Sequence, residues 1–266
     1  MRERLDLLLV NAGFFSSREK ARSAIMAGQI RQGTHILDKA GLKLKELPDD
    51  LTIKGNDCPY ASRGGFKLAE ALKVFNISPQ SKVCLDVGAS TGGFTDCLLQ
   101  AGAKQVYAVD VGYGQLDWKL RQDERVICLE KVNARYLTPE ALYGAEGSKA
   151  SLAVMDVSFI SILKIFPALN QLLDQESTLI SLIKPQFEAP RKDNQKGIVK
   201  DPQAHLRVLQ QIHEQSPETG WFLHQAISSP IKGKGGNREF LGVFYKYPAS
   251  DTVELEALIR NTTPNE

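Results

Sequence analysis

The sequence predicts an α/β chain in two parts. Residues 1–60 read as a small α+β module. Residues 62–250 read as a Rossmann-like domain with a seven-stranded, mostly parallel sheet ending in an antiparallel hairpin, followed by a polar tail at 251–266. Three observations carry this. Residues 83–94, V-C-L-D-V-G-A-S-T-G-G-F, read as a buried strand, a glycine-rich turn and a helix start. Around them strand patterns alternate with helical ones, five βα units in all, until two strand patterns follow one another directly. Residues 55–60, G-N-D-C-P-Y, are turn formers and make a linker at about 55–61 between this region and a differently patterned start.

In the first part, Leu5, Leu8, Leu9 and Ala12 share one helical face, and Gly13 is placed to stop that helix. Ser16 or Ser17 caps a second helix, with Ala21, Ala24 and Ile25 inward and Gly28 ending it. Its outward face carries Arg18, Lys20 and Arg22, which taken alone is an ordinary solvated surface. Short strand patterns follow at 29–31, 35–37 and 51–54. Pro59 restricts its neighbour and stiffens the linker.

In the second part Ser62–Lys67 opens a helix whose predicted apolar face is Phe66, Ala69, Leu72 and Phe75. Lys67 lies near its start, where the helix dipole opposes a cation. The glycine turn after Asp86 admits four readings. Ser90 stands where a dinucleotide fingerprint needs its second glycine, and Phe94 stands where a P-loop needs lysine. Gly88-Ala89-Ser90-Thr91-Gly92 matches a nucleophile elbow, a short pattern common by chance. The fourth, an S-adenosylmethionine (SAM) site, asks for an acid at the first strand end, a glycine turn, and a second acid at the next strand end. Asp86 and Asp110, the latter closing a strand at 105–109, meet that requirement and favour SAM. The turn residues Gly88, Ser90, Thr91, Gly92, Gly93 and Phe94 are the accompanying cofactor candidates, with Asn133 after the third strand at 125–129.

A fourth strand, 150–155, ends in Asp156, a candidate for both cofactor and catalysis. The following Val157-Ser158-Phe159 lacks the proline pair common in enzymes that methylate amino groups, which disfavours that chemistry. A helix is predicted at 160–173. The fifth strand, 178–183, ends in Lys184, and desolvation at such a strand mouth makes the free amine accessible. A polar, basic loop spans 189–200, a helix covers 206–212, and strands are predicted at 221–228 and 238–245. Between those strands lies a basic turn with Lys232 and Lys234, and Glu239 opens the last strand.

Composition excludes several classes. A net charge of +2 is nearly neutral, so affinity for nucleic acid must come from local patches. Cysteines 58, 84, 97 and 128 form no C-x-x-C pair and the four histidines are scattered, so neither a metal site nor a disulfide framework is expected, and a reducing compartment is. The amino terminus is a poor signal peptide, and no stretch reaches 18 uncharged apolar residues.

The pattern L-D-x-L-L-V-x-x-G-x-x-x-S-R-x-x-A-R-x-x-I-x-x-G-x-I resembles the S4 RNA-binding module. That resemblance implies phosphate contacts from Arg18, Lys20, Arg22 and Arg31, which position a protein on RNA without reading its sequence. Arg63, Lys232 and Lys234 complete the candidate RNA-binding set. Seven ordered motifs extend the likeness over nearly the whole chain: S-R-G-G-F-K-L, L-D-V-G-A-S-T-G-G-F-T, V-D-V-G-Y-G-Q-L, N-A-R-x-L-T, D-V-S-F-I-S, L-I-K-P-Q-F-E and S-P-I-x-G-x-x-G-N-R-E-F. Together they are similar to the TlyA, or hemolysin A, family, which joins an S4 domain to an FtsJ-like ribose methyltransferase. The resemblance implies SAM-dependent 2′-O-methylation of cytidine in 16S or 23S ribosomal RNA, or both, by a bacterial, cytoplasmic protein expected to be monomeric. It also implies a catalytic Lys-Asp-Lys-Glu tetrad at Lys67, Asp156, Lys184 and Glu239, with Lys184 as general base or oxyanion stabiliser. The R-x-W-V linker of mycobacterial-type members is replaced here by Cys58-Pro59-Tyr60-Ala61. Three other functions fit parts of the sequence: a hydrolase using Ser90, a membrane-active hemolysin and a non-catalytic assembly factor.

Overall fold

The computed structural model describes residues 2–12, 14–15, 17–48, 50–54, 58–145, 147–249 and 255. Gly13, Ser16, linker residues 55–57 and all of the tail except Leu255 therefore lie outside the described residues. The first part contains β1 (Glu3–Arg4), α1 (Leu5–Asn11), α2 (Arg18–Met26), β2 (Ile30–Gln32), β3 (His35–Ile36), β4 (Lys43–Leu44) and β5 (Leu51–Ile53). Ser17 caps α2 by accepting the Lys20 N–H at 3.3 Å. Leu5 and Leu9 from α1 meet Ala21, Ala24 and Ile25 from α2 and Ile30 from β2 in a small core. The antiparallel pair β1–β4 is only two residues long and has no legible period in the sequence.

The second part contains α3 (Gly64–Val74), β6 (Val83–Val87), α4 (Gly93–Gln100), β7 (Gln105–Val109), α5 (Trp118–Arg121), β8 (Val126–Leu129), α6 (Pro139–Tyr143), β9 (Leu152–Met155), α7 (Phe166–Leu172), β10 (Thr178–Ile183), α8 (Pro185–Glu188), α9 (Pro202–Gln215), β11 (Phe222–Ser228) and β12 (Phe240–Tyr245). The seven strands lie in the order β11-β12-β10-β9-β6-β7-β8. The β10-β9-β6-β7-β8 stretch is parallel, and β12 runs antiparallel between β10 and β11. One face packs under α3, α4 and α5 through Leu68, Leu98 and Leu120, the other under α6, α7 and α9 through Tyr143, Phe166 and Leu209. From β6 the chain moves outward through β7 and β8, then returns to the other side of β6 for β9 and β10. This reversal opens a crevice at the carboxyl ends of β6 and β9, the usual ligand position in open α/β sheets.

Two sequence expectations are corrected. The helix expected over 160–173 is a 3-10 turn, Ile162–Lys164, followed by the seven-residue α7. Pro167 has no N–H to donate and is tolerated only in a first helical turn, so a new helix starts there. In α3 Leu72 is buried as expected, but its buried companions are Lys67, Leu68 and Ala71 rather than Phe66, Ala69 and Phe75. The helix is turned so that a lysine faces inward, and Phe66 packs edge-on against the Tyr60 ring at 5.5 Å.

The stretch joining the two parts is fastened down. Ala61 N–H donates to Asp96 Oδ2 at 2.7 Å, and Gln100 Nε2 donates to the Pro59 carbonyl at 2.6 Å. Arg63 reaches back to the first part, donating to the Ala12 carbonyl at 2.9 Å with its guanidinium 4.7 Å over the Phe14 ring.

Candidate active site

The crevice begins with the glycine turn. Gly88 has φ +83°, and a Cβ there would fall 2.4 Å from the Asp156 carbonyl oxygen. Only glycine lets β6 and β9 approach so closely at their carboxyl ends. Gly92, at φ +94°, caps α4, and Ser90 takes a left-handed φ of +49°. That backbone turns the Ser90 N–H onto Asp110 Oδ2 at 2.8 Å, while Asp110 Oδ1 accepts the Gly112 N–H at 2.6 Å. Asp110 thus clasps both loops that border the crevice beside β7. Asp86 is fully buried, and its Oδ2 accepts the Thr95 hydroxyl at 2.6 Å. Its Oδ1 has no partner, and burial pushes its pKa up to about 7, against the Thr95 bond. Thr91 is exposed at the turn, Phe94 is buried in the core beneath it, and Asn133 Oδ1 caps a short turn by accepting the Arg135 N–H at 3.1 Å. Ser90 Oγ donates to Gln115 Oε1 at 3.3 Å rather than to any histidine, which leaves a nucleophile elbow without its base.

The four tetrad candidates form two ion pairs. Lys184 Nζ lies 2.5 Å from Asp156 Oδ1, a contact between the ends of neighbouring parallel strands, and donates to Ser158 Oγ at 2.9 Å. Lys67 Nζ donates to Glu239 Oε2 at 2.6 Å, deep in the protein, with the glutamate 3% exposed. The ladder places these pairs side by side: Ile183 faces Phe240, so Lys184 and Glu239 occupy adjacent positions just beyond the β10–β12 pairing. Gln186 Nε2 donates to the remaining Glu239 oxygen, Oε1, at 3.0 Å. Ser158 and Gln186 stand inside the motifs D-V-S-F-I-S and L-I-K-P-Q-F-E, but sequence reasoning assigned them no role, since a serine or glutamine next to a strand end is ordinary. Phe159 is 91% exposed at the rim, with a φ of +65° and its ring 5.0 Å from Phe187.

Two loops beside this site are joined by Glu188. Its Oε1 accepts the Ile162 N–H at 2.9 Å, and burial raises its pKa.

The RNA-binding candidates are dispersed. Lys20 and Arg22 are exposed on α2, and Lys232 is exposed on the turn before β12, where Lys234 opens a 3-10 turn. Arg18 is also on α2, but its Nε donates to buried Asp6 Oδ2 at 3.0 Å, and Arg4 binds the same carboxylate. These arginines hold Asp6 down at a pKa of about 2, a role invisible in the helical pattern. Arg31 is half-buried in β2. Arg63 is half-buried against Ala12 and Phe14, so the bridge between the two parts occupies much of it.

Fold and site together define a protein of the methyltransferase class: a seven-stranded sheet with a terminal antiparallel strand, a glycine turn at its switch point, and paired lysines and acids at the strand mouths. Residues 60–246 match the FtsJ-like methyltransferase family and residues 3–50 match the S4 domain. The chain belongs to the TlyA family of S4-bearing, FtsJ-like methyltransferases. A Bacillus subtilis relative, YqxC, provisionally named an rRNA methyltransferase, is 51% identical over 90% of this chain and 84% of its own. The Mycobacterium tuberculosis 16S/23S rRNA (cytidine-2′-O)-methyltransferase TlyA is 40% identical over 90% of this chain and 88% of its own. A solved Streptococcus thermophilus structure, provisionally named a hemolysin, is 41% identical with a TM-score of 0.78, covering 98% of this chain and 95% of that one. No helix among the described residues is long and apolar enough to cross a membrane.

Proposed function

We propose that this chain is a SAM-dependent 2′-O-methyltransferase acting on cytidine in ribosomal RNA of one or both subunits. In this reading residues 1–60 dock structured RNA, residues 62–250 carry the reaction, and the protein works as a cytoplasmic monomer on ribosomal RNA or subunits. The observation that carries it is the pair of ion contacts, Lys67–Glu239 and Lys184–Asp156, on adjacent strand ends at the crevice.

The crevice suits SAM. Gly88, Gly92 and Gly93 let the turn pack tightly against Asp156, Leu120 and Ser62, and Asp110 closes β7 where a carboxylate can accept ribose hydroxyls. The unpaired Oδ1 of Asp86 is a buried acceptor beneath the turn. Ser90, Thr91 and Asn133 border the same space, and Phe94 supports it from below. When bound, SAM supplies a methyl group already activated on a sulfonium, so positioning is most of the protein's task. Lys184 is held by an ion contact to Asp156 and by one hydrogen bond, to Ser158 Oγ, so its nitrogen keeps hydrogen-bonding capacity for the attacking 2′-oxygen. From there the nitrogen stabilises negative charge on that oxygen or, as free amine, takes its proton. Asp156 orients Lys184, while Lys67 and Glu239 fix the ribose side of the crevice.

The test is a map of 2′-O-methyl sites on ribosomal RNA from cells with and without this protein. At least one cytidine should lose its methyl group when the protein is removed and regain it when the purified protein and SAM are added. Identical maps would overturn the assignment.

A further inference from the structure

We propose that Gln186 is a positioning residue that locks the Lys67–Glu239 pair and ties it to the basic loop at 189–200. The two Glu239 oxygens are held from different elements, Oε2 by Lys67 of α3 and Oε1 by Gln186 of α8. A third side is closed by backbone, since a Cβ on Gly233 would fall 2.1 Å from Oε1. Glu239 is 3% exposed and Gln186 is 8% exposed, so water does not replace either donor readily. An ionised carboxylate only accepts, so the amide must turn its NH2 end to Glu239. Its buried Oε1 then has no partner among the described residues, a cost accepted to keep the donor in place.

The same residue anchors the loop that carries Arg191, Lys192, Lys196 and Lys200. The Gln186 carbonyl accepts Asn194 Nδ2 at 2.8 Å, and Asn194 Oδ1 accepts the Gly197 N–H at 2.7 Å. Asn237, two residues before Glu239, donates to the Gly197 carbonyl at 2.8 Å and accepts the Val199 N–H at 3.1 Å. The basic loop is thus fastened to Gln186 on one side and to the strand entry of Glu239 on the other.

The side-chain coupling stands by itself, whereas its part in turnover rests on the methyltransferase reading. Among the described residues Lys67 binds Glu239 directly, Arg63 acts on it at longer range and Lys184 lies beside it across the β10–β12 register, while neighbouring Arg238 gives its Nη2 to Ser228 Oγ. Replacing Gln186 with glutamate would put a second carboxyl against Glu239. Two such groups at this distance share a proton rather than both ionise.

The experiment compares full-length wild type, Gln186→Glu and Gln186→Leu from pH 6 to pH 9, reading melting temperature, SAM affinity and single-turnover methylation of ribosomal RNA. Gln186→Glu should melt close to wild type at the acid end, where its carboxyl keeps a proton and donates it to Glu239. It should fall behind by roughly 5 °C or more as that proton is lost, and its rate relative to wild type should fall in step. Gln186→Leu should lose roughly 100-fold in turnover, the scale of a small misplacement near a reacting group, with SAM affinity unchanged. A melting gap for Gln186→Glu that is constant with pH overturns the coupling. A pH-dependent gap with wild-type turnover in both variants overturns the positioning role. If Gln186→Leu does not fold, the acid and alkaline arms of Gln186→Glu decide both points. If wild type itself does not methylate RNA, the positioning role falls with that reading, and the melting series still decides the coupling.

Discussion

At the scale of single residues, the hydrogen-bonding capacity that Lys184 keeps beyond Ser158 is what the proposed chemistry depends on. Lys184→Ala should fold and bind both SAM and RNA, yet lose about 10²–10⁴-fold in single-turnover methylation, the usual worth of acid–base help. Lys184→Arg should not recover it, because a guanidinium cannot take a proton and its planar fork does not fit between Asp156 and Ser158. A variant keeping more than about a third of the wild-type rate lies outside that range and removes Lys184 from the chemistry. Asp86 makes a separate prediction about stability. Its folded pKa of about 7 lies above the usual ~3.9 of aspartate, so the folded state keeps a proton that the unfolded chain has released. Stability from this group therefore falls as pH rises from about 4 to about 7 and is level above that. Asp86→Asn cannot ionise, so its melting temperature relative to wild type should climb across that window and then stop. A difference independent of pH would show that Asp86 titrates normally. Lys67 and Lys184 stood out in the sequence because a lysine at a buried strand mouth or a helix start goes against ordinary placement, whereas their grouping with Asp156 and Glu239 came from the family resemblance. Asp6 and Gln186 did not stand out, because their importance lies in partners chosen by the fold. Lys67 and Glu239, likewise, are 172 residues apart, and nothing local announces that they pair.

At the scale of elements, the site depends on how closely α3 and α4 start beside one another. A Cβ on Gly93 would fall 2.2 Å from Ser62 Oγ and 3.0 Å from the Gly65 nitrogen. Gly93 lies at the first position of α4 without a positive φ, so alanine there meets a purely steric obstacle. Gly93→Ala should cost about 1–3 kcal/mol by overpacking and weaken SAM binding, because it forces apart the helix starts that carry Lys67 and the glycine turn. Denaturant melts and calorimetry would check both effects, and a variant with unchanged stability and affinity would show that the helices separate freely. Sheet strands were the easiest elements to read: 105–109 and 178–183 lie where their continuous apolar runs put them. Both are buried on two faces, and a run of that kind has few other uses. Short elements such as β1, β4 and α5 carry too few residues to display a period, and tertiary contacts decide them. The inward face of α3 was misjudged because apolar residues were taken as the guide, and a lysine paired with Glu239 sits among the buried ones.

At the scale of the whole molecule, the two parts are joined by a pinned strap as well as by the chain itself. Asp96 and Gln100 hold residues 59–61 against α4, whose first turn borders the crevice, and Arg63 reaches across to Ala12 and Phe14. Deleting residues 2–54 keeps Tyr60, which fills the space beside Gly65, and keeps the bonds to α4. The truncated protein should therefore fold and bind SAM within about threefold of full length, a difference of less than about 1 kcal/mol. It should nevertheless methylate ribosomal RNA at least ~100-fold more slowly at working concentrations, because in the proposed reading the exposed Lys20 and Arg22 dock on phosphate. Full-length protein should show a steep fall in RNA affinity with salt, and the truncated form a shallower one. Arg63→Ala in the full-length chain separates bridging from docking. If Arg63 chiefly braces the two parts, the variant loses turnover with a nearly unchanged salt slope, because its guanidinium is already spent on Ala12 and Phe14. If Arg63 chiefly contacts phosphate, the slope falls by about one counterion's worth. A truncated enzyme that modifies ribosomal subunits at the full-length rate would mean that the first part does not anchor the substrate. RNA docking would then rest on the basic loop and on the turn at Lys232.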